Sequence, residues 1–577
     1  MPDQPKFRLC ITMAGAVSAG SYTGGVVDYL LETLELWEKA KEKNRSLGEG
    51  HPDYDKSIPM HDVEIDVISG ASAGGITGTL TMLSLLDKNH RPYNENNPNG
   101  VNNKFYESWV TMADNGRGDT LEKMLRNDDL KDKVPSLLNT DAIEEIADKA
   151  LKVVSSQDSI TFPSYVSQEL DLVLTTTNLR GVNFKVDFSG ANKNDDNGTV
   201  ITTHGGFFRY KIANGDLKSG IPDGGDELFY VIDPKDEKDI GALRDATLST
   251  AAFPIGLKSR EITISNEYIK RFPRYLFGDR EGITAQEIEG DTYTFNSIDG
   301  GLINNEPYGI GLKILRERMD KQDFDNGKYA VIMVDPFPNK DTDTSKSESN
   351  GILDIAAGMF KSLRNQVMFN QDGILDALDL KNRTKFLIEP VRKVERNGSF
   401  KLAKNVLASA PISGFAGFLS ADLRKHDYQL GRYNCQAFLR YHFSVALGAV
   451  KDRLGVGITD EASSRFRFSD KPKDETGNMH FPIIPDMRVL KNFDEQLDTD
   501  TYGADAKISL LPFPSVNFEH FEKKYKKSIK KRLQKVSNGL IDNTFFKIAN
   551  WLFLRGKMYK AVIGMIKKEL KEGELLK

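Results

Sequence analysis

The stretch DVISGASAGGITG, residues 66–78, decides how the rest of the sequence is interpreted. VEIDVI at its start is rich in β-branched residues and favours a short buried strand, whereas TGTLTMLSLL at its end favours an apolar helix. Ser72 then lies at the turn from strand to helix, between Gly70 and Gly74, in the pattern G-x-S-x-G. Such a turn can expose a nucleophilic serine, but a glycine-rich turn that serves only packing has the same pattern.

A second unit of strand, turn and helix precedes this one. FRLCITMAG (7–15) predicts a buried strand, and GGVVDYLLETLELWEKAKEKN (24–44) has the apolar spacing of a long helix. KYAVIMVDPFP (328–338) predicts a further buried strand. Successive units of this kind form a parallel sheet with helices on its faces. We therefore predict an α/β fold with a mainly parallel central sheet flanked by helices.

The middle of the chain alternates between helical and strand-like patterns. FYESWVTMADNGRGDTLEKML (105–125) and TDAIEEIADKALKVV (140–154) predict helices that could cap a site. ELDLVLTTTNLRGVNFKVDF (169–188) predicts a hairpin-like pair of strands. ALRDATLSTAAFPIGL (242–257) predicts a small-residue helix that ends at Pro254, because proline cannot continue a helix.

Composition excludes several classes of protein. With 39% hydrophobic and 28% charged residues, the chain has no apolar run near the roughly 18 residues of a membrane span. Cys10 and Cys435 are too far apart to indicate a disulfide framework or a zinc site. The first residues imitate a signal peptide, but they fit better as the first strand, so we expect a cytoplasmic protein.

Metal and nucleotide sites are not indicated. The acidic stretch DPFPNKDTDTSKSES (335–349) lacks the ligand spacing and the glycine of a calcium loop. The sequence contains no G-x-x-x-x-G-K-[ST] pattern for nucleotide phosphates. We expect neither a metal nor another cofactor.

The charge distribution separates an acidic body from a basic tail. Residues 521–577 carry a net charge of +11, so the remaining chain carries −16. A basic amphipathic helix is predicted whose apolar face consists of Phe521, Tyr525, Ile529, Leu533, Val536 and Leu540. Farther on, aromatic residues again lie among lysines, at Phe545, Phe546, Trp551 and Phe553. The region 520–577 could bind an anionic membrane surface or pack on the acidic body, and no motif indicates nucleic acid.

Two further segments could complete a catalytic site around Ser72. The small-residue turn after the first strand would lie beside the serine in a parallel sheet, and the backbone N–H groups of Gly15, Ala16 and Val17 could bind an oxyanion there. Asp299-Gly300-Gly301 offers a carboxylate at a turn that follows a strand-like run.

Together these features resemble the patatin-like phospholipase family, in which a glycine-rich oxyanion loop, a G-x-S-x-G turn and a downstream D-G-G supply a Ser-Asp dyad. ATLSTAAFPIG (246–256) also resembles a small-residue stretch of that family, and the resemblance extends over residues 7–336. It implies a three-layer patatin-like fold and a lipid acyl hydrolase of phospholipase A type, with an acyl-serine intermediate. The substrate would be a membrane glycerophospholipid or another acyl lipid.

The resemblance also implies a role for each site residue. Ser72 would be the nucleophile and Asp299 its proton acceptor, while the oxyanion donors would be Gly15, Ala16, Val17 and Ala73. The loop departs from the family pattern, because the usual glycine run followed by arginine and glycine is replaced by Gly15-Ala-Val-Ser-Ala-Gly20.

Two alternatives remain open at the level of sequence. In a Ser-His-Asp triad the histidine would follow the acid, and the candidates after Asp299 are His426, His442, His480 and His520. His426 lies in LRKHDYQLGRYN (423–434), which resembles a stretch of some bacterial patatin-like proteins but indicates no role. The second alternative is an inactive lipid-binding or scaffold protein.

For the domain organisation we predict a catalytic domain over residues 1–390 and a helical region over 391–450 that packs on it. A C-terminal extension over 451–577 would end in basic amphipathic helices.

Overall fold

The computed structural model describes residues 6–94, 102–114, 119–131, 133–152, 161–186, 199–214, 217–222, 228–277, 283–285, 288–338, 384–396, 399–469, 478–489, 507–540 and 555–576. The aromatic residues noted above at Phe545, Phe546, Trp551 and Phe553 lie outside these ranges, as does most of the stretch 335–349.

The two predicted strand–turn–helix units are present at the start of the chain. Strand β1 (Phe7–Met13) leads into helix α1 (Gly20–Leu47), and strand β2 (Val63–Gly70) leads into helix α2 (Ala73–Leu86). All residues of β2 are buried, as a strand covered on both faces requires. The two strands pair in parallel.

Among the described residues, β1, β2 and eight more strands form the central sheet. The other strands are β3 (Val166–Val186), β4 (Thr199–Ile212), β5 (Tyr230–Ile232), β6 (Arg260–Ser265), β7 (Ile283–Ala285), β8 (Thr292–Asp299), β9 (Tyr329–Val334) and β10 (Lys385–Ile388). The order is β10-β9-β1-β2-β3-β4-β5, and all neighbours from β10 to β3 are parallel. Strands β4, β7 and β8 pair antiparallel with β3, and β6 pairs antiparallel with β8. The predicted α/β fold with a mainly parallel sheet is therefore confirmed.

Helices flank this sheet and continue into the C-terminal region. They are α3 (Lys104–Tyr106, continued by a π-helical turn Glu107–Thr111), α4 (Thr120–Met124), α5 (Asp141–Ala150), α6 (Glu237–Thr250), α7 (Asn266–Phe277), α8 (Tyr308–Arg318), α9 (Lys321–Asp325), α10 (Ala421–Tyr441), α11 (Val450–Leu454), α12 (Asp460–Phe466), α13 (Phe518–Gly539) and α14 (Arg555–Glu572). Short 3-10 turns span Val17–Ala19, Gly300–Leu302, Ala416–Leu419, Leu447–Ala449 and Met487–Val489. Helix α6 ends before Pro254, as predicted.

The structure differs from the hairpin predicted over residues 169–188. One strand, β3, runs through most of this segment, and its pairing with β4 shifts register after Thr177. The side chain of Asn178 accepts hydrogen bonds from the backbone N–H groups of Arg180 and Gly181, each at 2.9 Å. The residues that resembled a turn therefore form an irregularity within one long strand, which bends without reversing.

The stretch 391–450 is less helical than predicted. It begins with an antiparallel hairpin of β11 (Lys393–Arg396) and β12 (Ser399–Leu402), and helix α10 follows later. The intervening Asn397-Gly398 pair is a strong hairpin signal that the helical prediction overlooked. After α10, a small sheet contains β13 (Ser444–Ala446), β14 (Phe468–Ser469) and β15 (Met479–Pro482).

Helix α10 is held against α1 by buried ion pairs. Arg432 donates hydrogen bonds to Asp28 and to Glu32, the latter at 2.7 Å, and Arg488 donates to Glu32 at 2.8 Å. Burial raises the pKa of Asp28, with Arg432 opposing the shift. Burial also acts to raise the pKa of Glu32, but the two arginines outweigh it and hold that pKa below its usual value. Separating α10 from α1 would leave buried charges unpaired, and breaking a buried ion pair costs about 3–5 kcal/mol. The two helices therefore belong to the same core.

The apolar face of the basic tail packs on the body of the protein. Phe521, Tyr525, Ile529 and Val536 of α13 are buried, whereas Leu540 is exposed. A second cluster joins α13, α14 and the segment around α4. Of the two interpretations offered by the sequence, the structure therefore places this face against the protein itself. No helix among the described residues combines the length and apolarity needed to cross a bilayer.

Candidate active site

Ser72 lies at the sharp turn between β2 and α2. Its backbone has φ 53° and ψ −123°, a conformation that side-chain-bearing residues rarely adopt. The Ser72 hydroxyl donates a hydrogen bond of 2.6 Å to Oδ2 of Asp299, and both residues are buried. The Ser72 N–H donates to Oγ1 of Thr250 at 3.0 Å, which anchors the turn to the end of α6.

Asp299 ends β8 and is fixed on several sides. Its Oδ1 accepts a hydrogen bond of 2.7 Å from the N–H of Gly301, so the second oxygen is the one that faces the serine. The Asp299 N–H donates to the carbonyl of Ala252 at 3.0 Å, and the Thr177 hydroxyl donates to the Asp299 carbonyl at 2.9 Å. The carboxylate is thus oriented before any substrate binds.

The loop after β1 lies beside this pair, as the parallel sheet requires. The N–H of Ala71 donates to the carbonyl of Met13 at 3.1 Å, which joins the ends of β1 and β2. A Cβ atom added to Gly15 would lie 2.9 Å from the Cβ of Ser72, so only glycine allows this approach. Val17 has φ 50°, which is unusual for a β-branched residue.

The four residues expected as oxyanion donors differ in the state of their N–H groups. The N–H of Gly15 donates to the carbonyl of Asn305 at 3.4 Å. Those of Ala16, Val17 and Ala73 have no hydrogen-bond partner among the described residues. Ala73 is the first residue of α2, where backbone N–H groups are free to bind an anion.

Sequence reasoning missed two residues that support the site. Thr250 accepts from the Ser72 N–H, and Asn305 lies between the loop at Gly15 and the Asp299 turn. Asn305 Oδ1 would be 2.5 Å from a Cβ atom on Gly15 and 2.6 Å from one on Gly301. Thr250 lies within ATLSTAAFPIG, a motif already noted, whereas Asn305 lies just beyond Asp299-Gly-Gly.

An apolar pocket of about 60 Å³ opens beside Ser72. Val17, Ser72 and Ala73 line it together, so the serine and two of the expected oxyanion residues border one cavity. Its apolar wall includes Ile76, Trp109, Met112, Ile143, Ile146 and Phe418. The helices predicted to cap a site over 105–125 and 140–154 supply part of this wall. The cavity has room for only a few water molecules, so an alkyl chain must displace some of these side chains.

The histidines of the alternative triad lie in other settings. Nδ1 of His426 is 2.8 Å from Oδ1 of Asp427, and the ring contacts Phe513 edge-on, whereas the Ser72 hydroxyl bonds to Asp299. His442 and His520 are exposed. His480 Nδ1 lies 3.5 Å from the Ser444 hydroxyl. The geometry therefore favours the pairing of Ser72 with aspartate.

In the ranges that the structure describes, no group of three or more His, Cys, Asp or Glu side chains could hold a metal ion.

Comparison with known proteins identifies the family of the chain. The sequence model of the patatin-like phospholipases matches residues 11–312, slightly more than half of the chain. The chain belongs to the patatin-like phospholipase family. This family consists of lipid acyl hydrolases, and the matched segment contains Ser72 and Asp299. The family resemblance seen in the sequence is thereby confirmed.

Individual relatives add little about activity. The chain is 30% identical over 528 residues to the uncharacterized protein y4iI of Sinorhizobium fredii (strain NBRC 101917 / NGR234), covering 84% of this chain and 71% of that protein. This patatin-like chain also aligns with the crystal structure of VipD from Legionella pneumophila, over 99% of its own length and 88% of VipD. The identity is 10% and the TM-score 0.23.

The close approach at Gly15 leads to a first prediction. Gly15→Ala would bring a methyl group against both Ser72 and Asn305, so we expect the loop to shift and hydrolysis of a soluble ester to fall about 100-fold or more. Gly309→Ala is the matched control, because a Cβ atom there meets nothing within 4 Å. Equal activity of the two variants would contradict the placement of the Gly15 loop at the reacting centre.

Proposed function

We propose that the protein is a phospholipase of the A type that hydrolyses acyl ester bonds through a Ser72–Asp299 dyad. The observation that carries this proposal is the 2.6 Å hydrogen bond from the Ser72 hydroxyl to Asp299, at a strained strand-to-helix turn beside an apolar pocket. A buried nucleophile and base next to a cavity for an alkyl chain suit a lipid ester.

In the first step, Ser72 Oγ bonds to the carbonyl carbon of the ester while its proton passes to Oδ2 of Asp299. The carbonyl π electron pair moves to the carbonyl oxygen. The resulting oxyanion accepts hydrogen bonds from the N–H groups of Val17 and Ala73, and the N–H of Ala16 is a third donor. The N–H of Gly15 can join them only by leaving the long bond to Asn305.

In the second step, the bond from the carbonyl carbon to the leaving oxygen breaks. Asp299 returns the proton to that oxygen, which releases the lysophospholipid and leaves the acyl group on Ser72.

In the third step, water attacks the acyl carbon and gives a proton to Asp299. The second tetrahedral intermediate then breaks its bond to Ser72 Oγ, which takes the proton back from Asp299 as the fatty acid leaves.

The dry surroundings of the dyad are part of this mechanism. An aspartate in water is a weak base for a serine hydroxyl, whereas a carboxylate removed from water holds a proton more readily. Asp299 is 4% exposed and Ser72 is 7% exposed. An alkyl chain in the pocket lined by Trp109 and Met112 would exclude the remaining water.

Ser72→Ala and Asp299→Asn test the dyad directly. We expect each variant to lower fatty-acid release from mixed phospholipid vesicles at least about 1,000-fold, because one removes the nucleophile and the other its proton acceptor. The control is Ser84→Ala, which removes another buried hydroxyl of α2 whose oxygen has no partner among the described residues. Mass spectrometry of the released acids reports the acyl preference.

Asp299→Asn with near-native activity would refute the dyad. No release by the native protein, with vesicles or with short soluble esters, would instead favour the inactive lipid-binding alternative.

We also propose that the tail binds anionic membranes through charge. The apolar face of α13 is packed inside, so insertion of that face into a bilayer would require undocking. Its opposite side carries the exposed lysines Lys523, Lys527, Lys531 and Lys535, spaced one helical turn apart. Lysines close to an anionic bilayer contribute about 1 kcal/mol each, enough to hold a lipase near its substrate.

Charge reversal tests this surface. Lys523→Glu, Lys527→Glu and Lys531→Glu together should weaken binding to phosphatidylserine-containing vesicles about 100-fold or more, because roughly 3 kcal/mol of attraction is lost. The matched control reverses three exposed lysines outside the tail, Lys393, Lys401 and Lys451. Equal weakening in both triple variants, measured by vesicle co-sedimentation at constant salt, would mean that only net charge matters.

A further inference from the structure

The loop at the catalytic serine is held by a part of the chain far beyond the family match. Residues 408–418, here called the clamp, connect the β11–β12 hairpin to α10 and lie after residue 312. The carbonyl of Gly414 accepts hydrogen bonds from both the N–H of Ser18, at 3.1 Å, and the Ser18 hydroxyl. The Ser18 hydroxyl in turn accepts from the N–H of Gly417 at 3.0 Å. Ser18 directly follows the strained Val17.

This contact bears on the conformation of Val17. A valine with φ 50° persists only when its surroundings fix the backbone on both sides. On one side the loop is joined to β1, whose end is bonded to Ala71 through Met13. On the other side, Ser18 is bonded to the clamp by its amide and its hydroxyl. A Cβ atom on Gly414 would lie 3.4 Å from the Cβ of Val17, so the two segments also touch.

The clamp is itself strained and is fixed by α10. Ile412, Ser413 and Gly414 have φ values of 60°, 55° and 88°. Asp427 of α10 accepts hydrogen bonds at the start of the clamp, from the N–H groups of Ala408 at 2.8 Å and Ser409 at 2.9 Å. The Ser409 hydroxyl donates to the same carboxylate. These bonds fix the clamp at its start.

Arg424 of α10 fixes the other end of the clamp and joins it to the pocket. Its guanidinium donates to the carbonyl of Gly417 at 2.8 Å, to the carbonyl of Val110 at 2.9 Å and to Asp114 at 2.6 Å. In the sequence, Val110 lies between Trp109 and Met112, which both line the pocket. The segment LRKHDYQLGRYN, to which the sequence assigned no role, therefore supplies both anchors.

We propose that Ser18, Arg424 and Asp427 are positioning residues that hold the oxyanion loop in its strained form through the clamp. They do not touch the reacting atoms. Their effect passes through Val17, whose N–H group must face the oxyanion for the reaction. The inference rests on the proposed function for its kinetic consequence, whereas the effect on the loop is independent of it.

Ser18→Ala tests the proposal, because it removes two hydrogen bonds at the clamp without adding atoms. We expect kcat for a soluble short-chain ester to fall about 10- to 30-fold with KM changed less than about 3-fold. Hydrogen–deuterium exchange should accelerate in the peptide that contains positions 18 and 19, whose N–H groups bond to the carbonyls of Gly414 and Ala16. The unfolding midpoint should fall by no more than about 5 °C, because the lost bonds are few in so large a protein. Ser84→Ala should change none of these quantities.

A double variant separates positioning from a general loss of packing. Glycine adopts φ 50° without strain, so in a Val17→Gly background Ser18→Ala should lower kcat by less than about 3-fold. Ser409→Ala gives a milder variant at the far end of the clamp, in case Ser18→Ala does not fold, and should accelerate exchange in the same peptide.

The possible results are distinct. Unchanged exchange at positions 18 and 19 in both Ser18→Ala and Ser409→Ala would overturn the proposal. A loss of kcat on Ser18→Ala that is equally large with valine and with glycine at position 17 would overturn it too. If the two variants exchange faster than the native protein but the native protein hydrolyses no ester, the clamp is supported and the proposed function is not.

Discussion

The parallel pairing of β1 and β2 is the constraint on which the candidate site depends. Met13 and Gly70 are register partners at the carboxyl ends of these strands, and the N–H of Ala71 bonds to the Met13 carbonyl. The chain must leave both strands at the same edge of the sheet, so the loop at Gly15 and the turn at Ser72 meet. The antiparallel strand β8, paired with β3, then delivers Asp299 to the same edge.

The structural unit around this site is larger than the segment matched by the family model. Arg432 and Arg488, both beyond residue 312, neutralise Asp28 and Glu32 of α1 inside the core. Phe418 also lines the pocket beside Ser72. A fragment that ended at residue 312 would leave two buried carboxylates without their arginines and would lack one wall of the pocket.

The tail packs on the protein and also presents a row of exposed lysines. Arg532 reaches Asp129 at 2.8 Å and the carbonyl of Leu137 at 2.9 Å, and the N–H of Leu137 bonds to the carbonyl of Ile255. The tail thus supports the loop that follows Phe253 of the pocket. Lys523, Lys527, Lys531 and Lys535 are exposed on the opposite side of α13, whereas Lys524 bonds to Asp119 within the contact.

Local patterns predicted the fold well where one physical effect dominates. The β-branched run before Ser72, the apolar spacing of α1 and the proline after α6 each led to the observed element. Prediction failed where the outcome depends on partners distant in sequence. The register shift near Gly181 depends on pairing with β4. The hairpin at 393–402 is a different case, because the local pair Asn397-Gly398 signals it and was overlooked.

The same distinction applies to the candidate site. Ser72 and Asp299 belong to short motifs, and their hydrogen bond agrees with the prediction that they act together, although their catalytic role remains a proposal. Thr250 lies within a noted motif and Asn305 just after one, so both could have been identified from the sequence. The contact of Ser18 with Gly414 could not, because it joins residues nearly 400 positions apart.

Peptide mapping of the protein after reaction with a fluorophosphonate probe tests the central claim most directly. The probe phosphonylates an activated serine, and its adduct is stable enough to be located by mass spectrometry. The account predicts one dominant adduct, on the peptide that contains Ser72, and its loss in Ser72→Ala. An unmodified Ser72, or an adduct at another residue that accompanies the hydrolytic activity, would contradict the assignment of Ser72 as the nucleophile.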